Sequence, residues 1–415
     1  MKRPLALALA VSSLVLVALP AGAAASKRAT YALEGEARGL ELAIGDQGVT
    51  LGLALARGSS TPIAEGVGAG QCSVLGDEAD PDNLPCNEST MQKSVAPGEA
   101  NAQGEICAGP AIPAPLDSVL TIDVACGSSV SAVRNGTPST SNSGKVAEVG
   151  LGLDLTGLIP QAEDAKEQLI DQLQSIIGGA PEPIATAVNQ LLDAIDEGQG
   201  AQIVLGPAAS NITSKGDRVT VTSTSAGALI GVAGIPDLNK DGIPIPGSSV
   251  ATEDGLIIVE VGKSFATASV DKLSAASDSD STAALVTVKV RDITKVEPTY
   301  TEVPVAPGQT VTILEGTPAE STITAAVATK ESREGSAVAA ADAVRLHLLK
   351  GVSGGVKLGL ARATAAVTAK PKVLGQVNDP DPRVLPMTGA RDATLIALGL
   401  LILAGAAFGI RRRVN

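Results

Sequence analysis

The near absence of aromatic side chains is the feature that most constrains how this chain can fold. Its 415 residues include two tyrosines, two phenylalanines and no tryptophan. The core must therefore be built from Val, Leu, Ile and Ala, and β-branched side chains pack well on the pleated face of a sheet. Aromatic rings are also common platforms for stacking sugars and nucleic-acid bases. We therefore expect thin layers of long strands and few aromatic contacts for a ligand.

Alternation of apolar residues with other residues predicts strands over most of the chain. Thr30–Ala56 predicts a hairpin with its turn at residues 46–48, and residues 119–126 predict another strand. A loop is expected at 137–144, which is rich in Ser, Thr, Asn and Gly, before strand alternation resumes over 146–155. Further strands are expected over residues 218–233, 255–271, 281–293, 303–314, 321–330, 336–349 and 355–369.

Three segments share a taper in side-chain size. They are residues 51–66, 257–270 and 356–369, and each runs from large apolar residues, through a Gly or Ala with a basic residue, to small residues. The match suggests a duplicated β-unit, and convergence of Ala-rich strands on one pattern is the alternative. Such strands would let neighbouring sheets approach closely at one end.

Residues 160–197 differ from the rest because their apolar residues fall at helical spacing. These residues form two apolar stripes. The first stripe precedes Gly178-Gly179, and the second stripe follows Pro181 and ends at Gly198. The stripes consist of Ile159, Ala162, Ala165, Leu169, Leu173 and Ile176, and of Ile184, Val188, Leu191, Leu192 and Ile195. We therefore predict a mostly β fold of antiparallel strands in stacked sheets, with one inserted αα-hairpin that serves as a packing element.

Four cysteines are candidates for disulfide bonds: Cys72, Cys86, Cys107 and Cys126. Their even number predicts two disulfides in an exported protein, and the sequence leaves all three pairings open. A zinc site is disfavoured, because the chain has no Cys-x-x-Cys pair and one histidine, His347. We expect the bridges to hold a long loop over residues 71–116.

The segment "DLNKDG" at residues 237–242 is a candidate calcium loop. Asp237, Asn239 and Asp241 stand two residues apart and Gly242 follows, as in loops where alternate oxygen ligands face a cation. An EF-hand would have glutamate at the twelfth position, where this chain has Ser248. A single structural calcium loop and a plain turn remain open, and calcium is the one cofactor that the sequence suggests.

Two motifs of common enzyme classes are missing from the sequence. There is no His-Glu-x-x-His helix and no phosphate-binding glycine loop. In a strand His347 would share a face with Arg345, which favours a surface position over a catalytic one. A glycosidase needs only two carboxylates, so a hydrolase remains the alternative to a non-enzymatic protein.

Both ends of the chain carry targeting patterns. Lys2 and Arg3 precede an apolar stretch over residues 5–19 and small residues at 21–25, which predicts a signal peptide and export. Near the other end, residues 393–410 are apolar enough to enter a bilayer, and Arg411–Arg413 follow.

A short motif, Leu385-Pro386-Met387-Thr388-Gly389, stands ahead of that apolar stretch. Motif, apolar stretch and basic tail together resemble the LPxTG sorting signal of Gram-positive surface proteins. The resemblance implies that a sortase thiol attacks the carbonyl of Thr388, releases Gly389 onward and transfers Thr388 to a peptidoglycan amine. The membrane would hold the precursor only transiently. The body is similar to actinobacterial choice-of-anchor surface proteins in "YALEGEARGLEL", residues 31–42.

The predicted function is a structural or adhesive role on the cell wall, without enzymatic activity. A wall-acting hydrolase and a calcium-dependent binding module are the alternatives. The chain carries a formal charge of −13 and both removable ends are basic, so nucleic acid is an unfavourable partner. The sequence does not name the surface ligand.

The predicted organisation is a signal peptide at 1–25, a β-rich region with the disulfide loop at 26–155, the helical hairpin at 156–200, a β-rich region at 201–369, a linker at 370–384 and the sorting signal at 385–415. Fully extended, residues 370–383 of the linker span about 45–50 Å at about 3.3–3.6 Å per residue.

Overall fold

A computed structural model gives the fold over most of the predicted body. The described residues are 29–44, 47–61, 63–73, 86–98, 104–110, 112, 117, 120–146, 149–152, 171, 199–232, 257–291, 299–313, 320–348, 350 and 356–371. They form antiparallel strands in stacked sheets, which confirms the mostly β part of the predicted fold. The signal peptide, the sorting signal and the helical hairpin lie outside this part, except for helical Asp171 and for residues 199–200, which belong to a strand.

Twenty-four strands account for most of the described residues. They are β1 (Thr30–Ile44), β2 (Gln47–Ser59), β3 (Ala64–Cys72), β4 (Met91–Ala96), β5 (Glu105–Ala108), β6 (Leu120–Ile122), β7 (Ala125–Arg134), β8 (Thr137–Val146), β9 (Val149–Gly152), β10 (Gln199–Leu205), β11 (Ala208–Lys215), β12 (Arg218–Ser225), β13 (Ala228–Val232), β14 (Ile257–Val261), β15 (Ser264–Asp271), β16 (Ser277–Thr282), β17 (Val286–Arg291), β18 (Tyr300–Val305), β19 (Thr310–Ile313), β20 (Ser321–Thr324), β21 (Ala328–Arg333), β22 (Ser336–Ala341), β23 (Val344–Leu348) and β24 (Val356–Lys370). A short 3-10 turn, Glu88–Thr90, precedes β4.

The strands form three sheets. Sheet A has the order β19-β20-β23-β24-β1-β2-β3-β4, and β21 joins it through β22, which also pairs with β24. Sheet B has the order β16-β15-β12-β11-β8-β7-β5, and sheet C has the order β18-β17-β14-β13-β10-β9-β6. Because β24 pairs with β23 over its first part and with β22 over its second part, sheet A has two arms beyond β24.

Sheets B and C are two parts of one bent surface. Strand β10 of sheet C continues into β11 of sheet B across Gly206-Pro207, and β12 continues into β13 across Ala226-Gly227. These links bond to each other, since Gly206 N donates to Gly227 O at 3.0 Å and Ala226 N donates to Pro207 O at 3.0 Å. The backbone ladder therefore continues from one sheet into the other.

Sheet A covers both sheet B and sheet C. Midway along its strands, the side of sheet A that faces these two sheets changes. Gly39, Gly52 and Ala361 lie between the paired segments of β1, β2 and β24, and Gly52 and Ala361 have φ of +67° and +58°. Leu33 and Leu40 are an odd number of residues apart, yet both are buried in cores. Regular alternation would place them on opposite faces, so the strand alternation is interrupted once along this line.

The half of the molecule formed by sheets A and C, the A/C half, has a core of large aliphatic side chains. Leu40, Leu51 and Leu360 of sheet A pack with Ile203 and Val259 of sheet C, and all are 2% exposed or less. Leu51, Val259 and Leu360 belong to the large-residue ends of the tapering segments. A conventional hydrophobic layer therefore separates the two sheets here.

The half formed by sheets A and B, the A/B half, is packed through small residues. A Cβ atom at Gly68 would lie 2.0 Å from the Ser128 carbonyl oxygen, and one at Gly144 would lie 2.2 Å from the Ala69 carbonyl oxygen. The backbones of the two sheets are thus in direct contact, which only glycine allows at these positions. The expected close approach of sheets at the small-residue ends is confirmed.

Hydroxyl and amide side chains fill the remaining space in the A/B half. Ser94 Oγ lies 2.6 Å from Ser129 Oγ and 2.7 Å from Ser131 Oγ, and Asn142 Nδ2 donates to Ser210 O at 2.9 Å. Each of these residues is buried. A buried polar group must be hydrogen-bonded to avoid a large desolvation cost, and these groups satisfy one another.

The edge of sheet B is joined to an arm of sheet A by serine side chains. Ser277 Oγ donates to Arg333 O at 2.8 Å and Ser281 Oγ donates to Thr329 O at 2.8 Å. Between them, Ser279 Oγ donates to Glu331 O at 2.9 Å. Alternate residues of β16 thus bond to the backbone of β21, and two open edges that could pair with other chains are covered.

Several strand predictions were wrong in detail. The predicted loop at 137–144 is strand β8, and the predicted disulfide loop at 71–116 contains β4 and β5. The segment 119–126 holds all of β6 and the start of β7, which lie in different sheets. The β1–β2 hairpin is confirmed, although Gln47 and Gly48 already belong to β2. The buried residues of β4 are Gln92, Ser94 and Ala96, and those of β8 within 137–144 are Pro138, Thr140, Asn142 and Gly144, so neither segment shows hydrophobic alternation.

Candidate functional site

All four cysteines form disulfides, and the structure determines their pairing. Cys72 bonds to Cys86 and Cys107 bonds to Cys126. Each bond joins residues that lie opposite each other on antiparallel segments. Glu105, Cys107 and Cys126 are the described group whose atoms could approach one metal ion, but its two sulfurs are bonded to each other. The two predicted disulfides are confirmed.

The two disulfides close loops of similar size in different surroundings. Their sequence separations are 14 and 19 residues, so chain entropy gives each a similar stabilisation of about 3 kcal/mol. Cys72 is fully buried against Leu53, Leu55 and Val67, whereas Cys107 is exposed on the edge strand β5. Exposure, rather than loop size, distinguishes the two bonds.

A cluster of charged side chains lies on the face of sheet A turned away from sheets B and C. A Cβ atom at Gly35 would meet Val221 and Ser210 of sheet B, so the neighbouring Glu34 and Glu36 point to the opposite face. We call this group the charged cluster; it comprises Glu34, Glu36, Arg38, Glu41, Arg57 and Arg362. It holds as many glutamates as arginines.

Arg38 is the centre of the charged cluster and is 2% exposed. Its Nε donates to Glu36 and its Nη1 donates to Glu41. Burial lowers the pKa of Arg38, but the carboxylates of Glu36 and Glu41 outweigh this effect and leave the pKa raised. The guanidinium is therefore charged at every physiological pH.

Two further ion pairs extend the charged cluster along neighbouring strands. Arg57 Nε lies 3.5 Å from Glu34 Oε1, and Arg362 Nη1 lies 3.9 Å from Glu41 Oε1. The backbone register aligns these residues, because Arg38 is the partner of Leu53 on β2 and of Arg362 on β24. Each of these carboxylates is engaged by a guanidinium group, so this arrangement suits packing rather than proton transfer.

The charged cluster was missed at the sequence level although a signal was present. Glu34, Glu36 and Arg38 stand two residues apart in "LEGEARGLEL" (33–42), and such residues share one face of a strand. The alternating Leu residues of this segment predict the strand from its apolar face and say nothing about the charged face. A run of alternating charges of both signs indicates an ion-pair network on a sheet.

The other predicted site residues lie outside the described part of the chain. These are the sorting motif Leu385, Pro386, Met387, Thr388 and Gly389, and the calcium-loop candidates Asp237, Asn239 and Asp241. No helix among the described residues is long and apolar enough to cross a membrane. His347 lies half-buried on β23, where it pairs in register with Lys357 and Thr322.

Comparisons with known proteins give no relative that identifies this chain. No family model matches it and no curated protein matches it. Among solved structures, it is similar to the toluene transporter TbuX of Ralstonia pickettii at 9% identity, over 83% of this chain and 90% of that chain, with a TM-score of 0.14. The translocator domain of the autotransporter NalP from Neisseria meningitidis matches at 11% identity, over 83% and 88% of the two chains, with a TM-score of 0.13. TM-scores this low support no common fold.

Proposed function

We propose that this protein is a surface protein attached covalently to the Gram-positive cell wall, where it has a structural or adhesive role without enzymatic activity. The observation that carries this proposal is the order of three elements at the C-terminus: the Leu385–Gly389 motif, the apolar stretch at 393–410 and Arg411–Arg413. The export signal at the N-terminus is the fourth element that such a pathway requires. A permanent membrane helix would not need the motif.

The proposed attachment exchanges one amide bond for another. A sortase thiolate attacks the Thr388 carbonyl carbon, the Thr388–Gly389 bond breaks, and Gly389 leaves as a protonated amine with the rest of the tail. The resulting thioester is then attacked by a peptidoglycan amine, which forms a new amide at Thr388 and returns the thiol. The apolar stretch and the arginines hold the motif at the membrane surface until this reaction.

The fold of the body supports a load-bearing or presenting role. Thr30 of β1 pairs with Lys370 of β24, so both ends of the described body meet at one end of the molecule. The predicted linker begins at this point, and the opposite end of the body would face away from the attachment site. Two features suit a protein that must persist outside the cell. They are the Cys72–Cys86 disulfide and the serine side chains that bond β16 to the backbone of β21.

Attachment is tested with a Thr388→Ala variant in the native host, and with the unchanged protein in a strain that lacks sortase. In both cases we expect the protein to be absent from the peptidoglycan fraction and present in the membrane and medium fractions. Thr394→Ala, six residues away, is the matched control and should remain in the wall fraction. Mass spectrometry of the wall-released protein should place its C-terminal residue at Thr388. Unchanged wall attachment in both the variant and the sortase-deficient strain would refute the proposal.

The non-enzymatic part of the proposal has a separate test. The purified full-length protein is incubated with purified peptidoglycan, and soluble fragments are measured by mass spectrometry. We expect no release above a heat-denatured sample. Release that depends on the folded protein would identify a wall hydrolase and overturn this part, while leaving the attachment result unaffected.

A further inference from the structure

We propose that Cys107–Cys126 is a thiol–disulfide exchange site that reacts with dithiols, whereas Cys72–Cys86 is a permanent structural bond. This inference goes beyond the proposed function and does not depend on wall attachment. It rests on the exposure of one sulfur-bearing residue, on the short strand that carries it and on a charged pair beside the bond.

Strand β5 presents Cys107 to solvent. It has four residues, lies at the edge of sheet B, and three of them, Glu105, Ile106 and Cys107, are exposed. Among the described strands it pairs with β7 alone, where Cys126 lies opposite Cys107 and is 6% exposed. An attacking thiolate can therefore approach from the Cys107 side, and the buried Cys126 becomes the leaving group.

Two charged side chains lie beside the bond. A carboxylate oxygen of Glu105 and the sulfurs of Cys107 and Cys126 all lie within 4.8 Å of one another. Lys145 Nζ lies 2.6 Å from Glu105 Oε1, and Lys145 is the register partner of Cys126 on β8. The ammonium offsets the carboxylate, which would otherwise repel both the attacking and the departing thiolate.

The exchange balances in two steps. A thiolate of the dithiol attacks Cys107 Sγ, the Cys107–Cys126 bond breaks, and its electron pair leaves with Cys126 Sγ as a thiolate. The second thiol of the reagent, as its thiolate, then attacks the reagent sulfur of the mixed disulfide and releases Cys107 as a thiolate. The dithiol is oxidised to a disulfide, and the protein gains two electrons and two protons.

The Cys72–Cys86 bond lacks this access. Cys72 is 0% exposed and packs with Leu53, Leu55, Val67 and Ala69. It belongs to the nine-residue strand β3, which is paired on both sides by β2 and β4. Cys86 is half-buried and packs against this cluster, so a thiolate reaches this bond less readily than Cys107 and its reduction should be slower.

The test uses the full-length oxidised protein and dithiothreitol in native buffer. Samples are quenched over time with an alkylating reagent, and the modified cysteines are counted by peptide mass spectrometry. We expect Cys107 and Cys126 to be modified at least about tenfold faster than Cys72 and Cys86, while the far-UV circular dichroism spectrum stays unchanged. Equal rates, the reverse order, or reduction only after loss of the spectrum would overturn the proposal.

The charged pair gives a second arm to the test. Glu105→Gln should speed reduction about fourfold and Lys145→Gln should slow it about fourfold, as expected for a unit charge about 5 Å from the reacting sulfur in water. Lys215→Gln, at the end of β11 in the same sheet, is the control and should react like the parent. Opposite shifts that shrink in high salt support the assignment. Identical rates in all three variants would overturn the role of the Glu105–Lys145 pair.

Discussion

The two halves of this molecule solve the same packing problem with different residues. In the A/C half, Leu and Ile side chains fill the space between sheets, as Leu51 and Ile203 do. In the A/B half the sheets meet through Gly68 and Gly144, with hydrogen-bonded hydroxyls between them. The same strands β1, β2 and β24 serve both halves, so the change lies in side-chain size along each strand.

This difference shows how a chain with almost no aromatic residues builds two kinds of core. The A/C half gains stability from apolar area removed from water. The A/B half buries less apolar side chain, and its stability must come from close backbone contact and satisfied hydrogen bonds. The halves should therefore respond to opposite kinds of substitution: the first to lost volume and the second to added volume.

The largest effect is expected from added volume in the A/B half. Gly144→Val should reduce the free energy of unfolding by about 5 kcal/mol or prevent folding, since even a Cβ meets three backbone atoms of Ala69 and Leu53 within 2.6 Å. The measurement is urea unfolding followed by far-UV circular dichroism. Gly359→Val in sheet A is the control, because its Cβ would approach side chains alone, Glu41 Oε2 at 3.1 Å and Ala343 Cβ at 3.4 Å, rather than backbone. Equal losses in both variants would show that the sheets are not in close contact at Gly144.

The next largest effect concerns the charged cluster, near the line where the halves join. Arg38→Ala should cost about 4 kcal/mol, because Glu36 and Glu41 lose their buried partner. The combined variant Arg38→Met, Glu36→Gln and Glu41→Gln should regain part of this loss in the same unfolding experiment. Arg333→Ala, with its side chain 79% exposed, should change stability by less than about 0.5 kcal/mol. If the triple variant is no more stable than Arg38→Ala, repulsion between unpaired carboxylates is not the cause.

Lost volume should matter more in the A/C half. Leu360→Ala removes a fully buried side chain from the large aliphatic core and should cost about 3 kcal/mol. Ala365→Gly, on the same strand in the A/B half, should cost about 1 kcal/mol. Both losses are read from the shift in thermal and urea midpoints. A larger loss for the second variant would reverse the proposed assignment of the two cores.

The smallest effect concerns a turn in the A/B half and depends on pH. The Asp271 carboxylate accepts hydrogen bonds from Ser274 N at 2.8 Å and Leu273 N at 2.9 Å, and the bond to Ser274 comes first among the causes that lower its pKa. A lowered pKa stabilises the fold above the unfolded value of about 4, and the stabilisation disappears as the pH falls through the folded value. Asp271→Asn should therefore cost at most about 1 kcal/mol at pH 7, and the difference from the parent should shrink as the pH falls below the unfolded value of about 4. A constant difference over this range would show that the charge is not responsible.

Sequence reasoning succeeded where the core is hydrophobic and failed where it is small or polar. The β1–β2 hairpin followed from alternating Leu residues such as Leu40 and Leu42, and the tapering segments indicated close sheet approach. Strand β8 was taken for a loop because its buried residues, among them Asn142, are those that favour turns. Their burial depends on partners such as Ser129, 13 residues away in sequence, and local pattern cannot supply that information.

The candidate sites divide in a similar way. The number of disulfides followed from counting cysteines, but the pairing required the register of β5 with β7 and the bridge between Cys72 and Cys86. The charged cluster combines residues of three strands. Arg57 and Arg362 are distant from Arg38 in sequence, so a local pattern does not bring them together. The proposed sorting motif is the opposite case, since all five of its residues are consecutive in the sequence.

The pairing of β24 on both of its edges determines how the protein would respond to a pulling force. This strand is hydrogen-bonded along one edge to β1, from Ile44↔Val356 to Thr30↔Lys370, and along the other edge to β22 and β23. Inter-strand hydrogen bonds lie perpendicular to the strands, so tension that enters at Lys370 and leaves at the far end of the sandwich loads them in shear. The bonds must then break together rather than one after another, which makes the body a mechanical clamp that resists extension along its long axis.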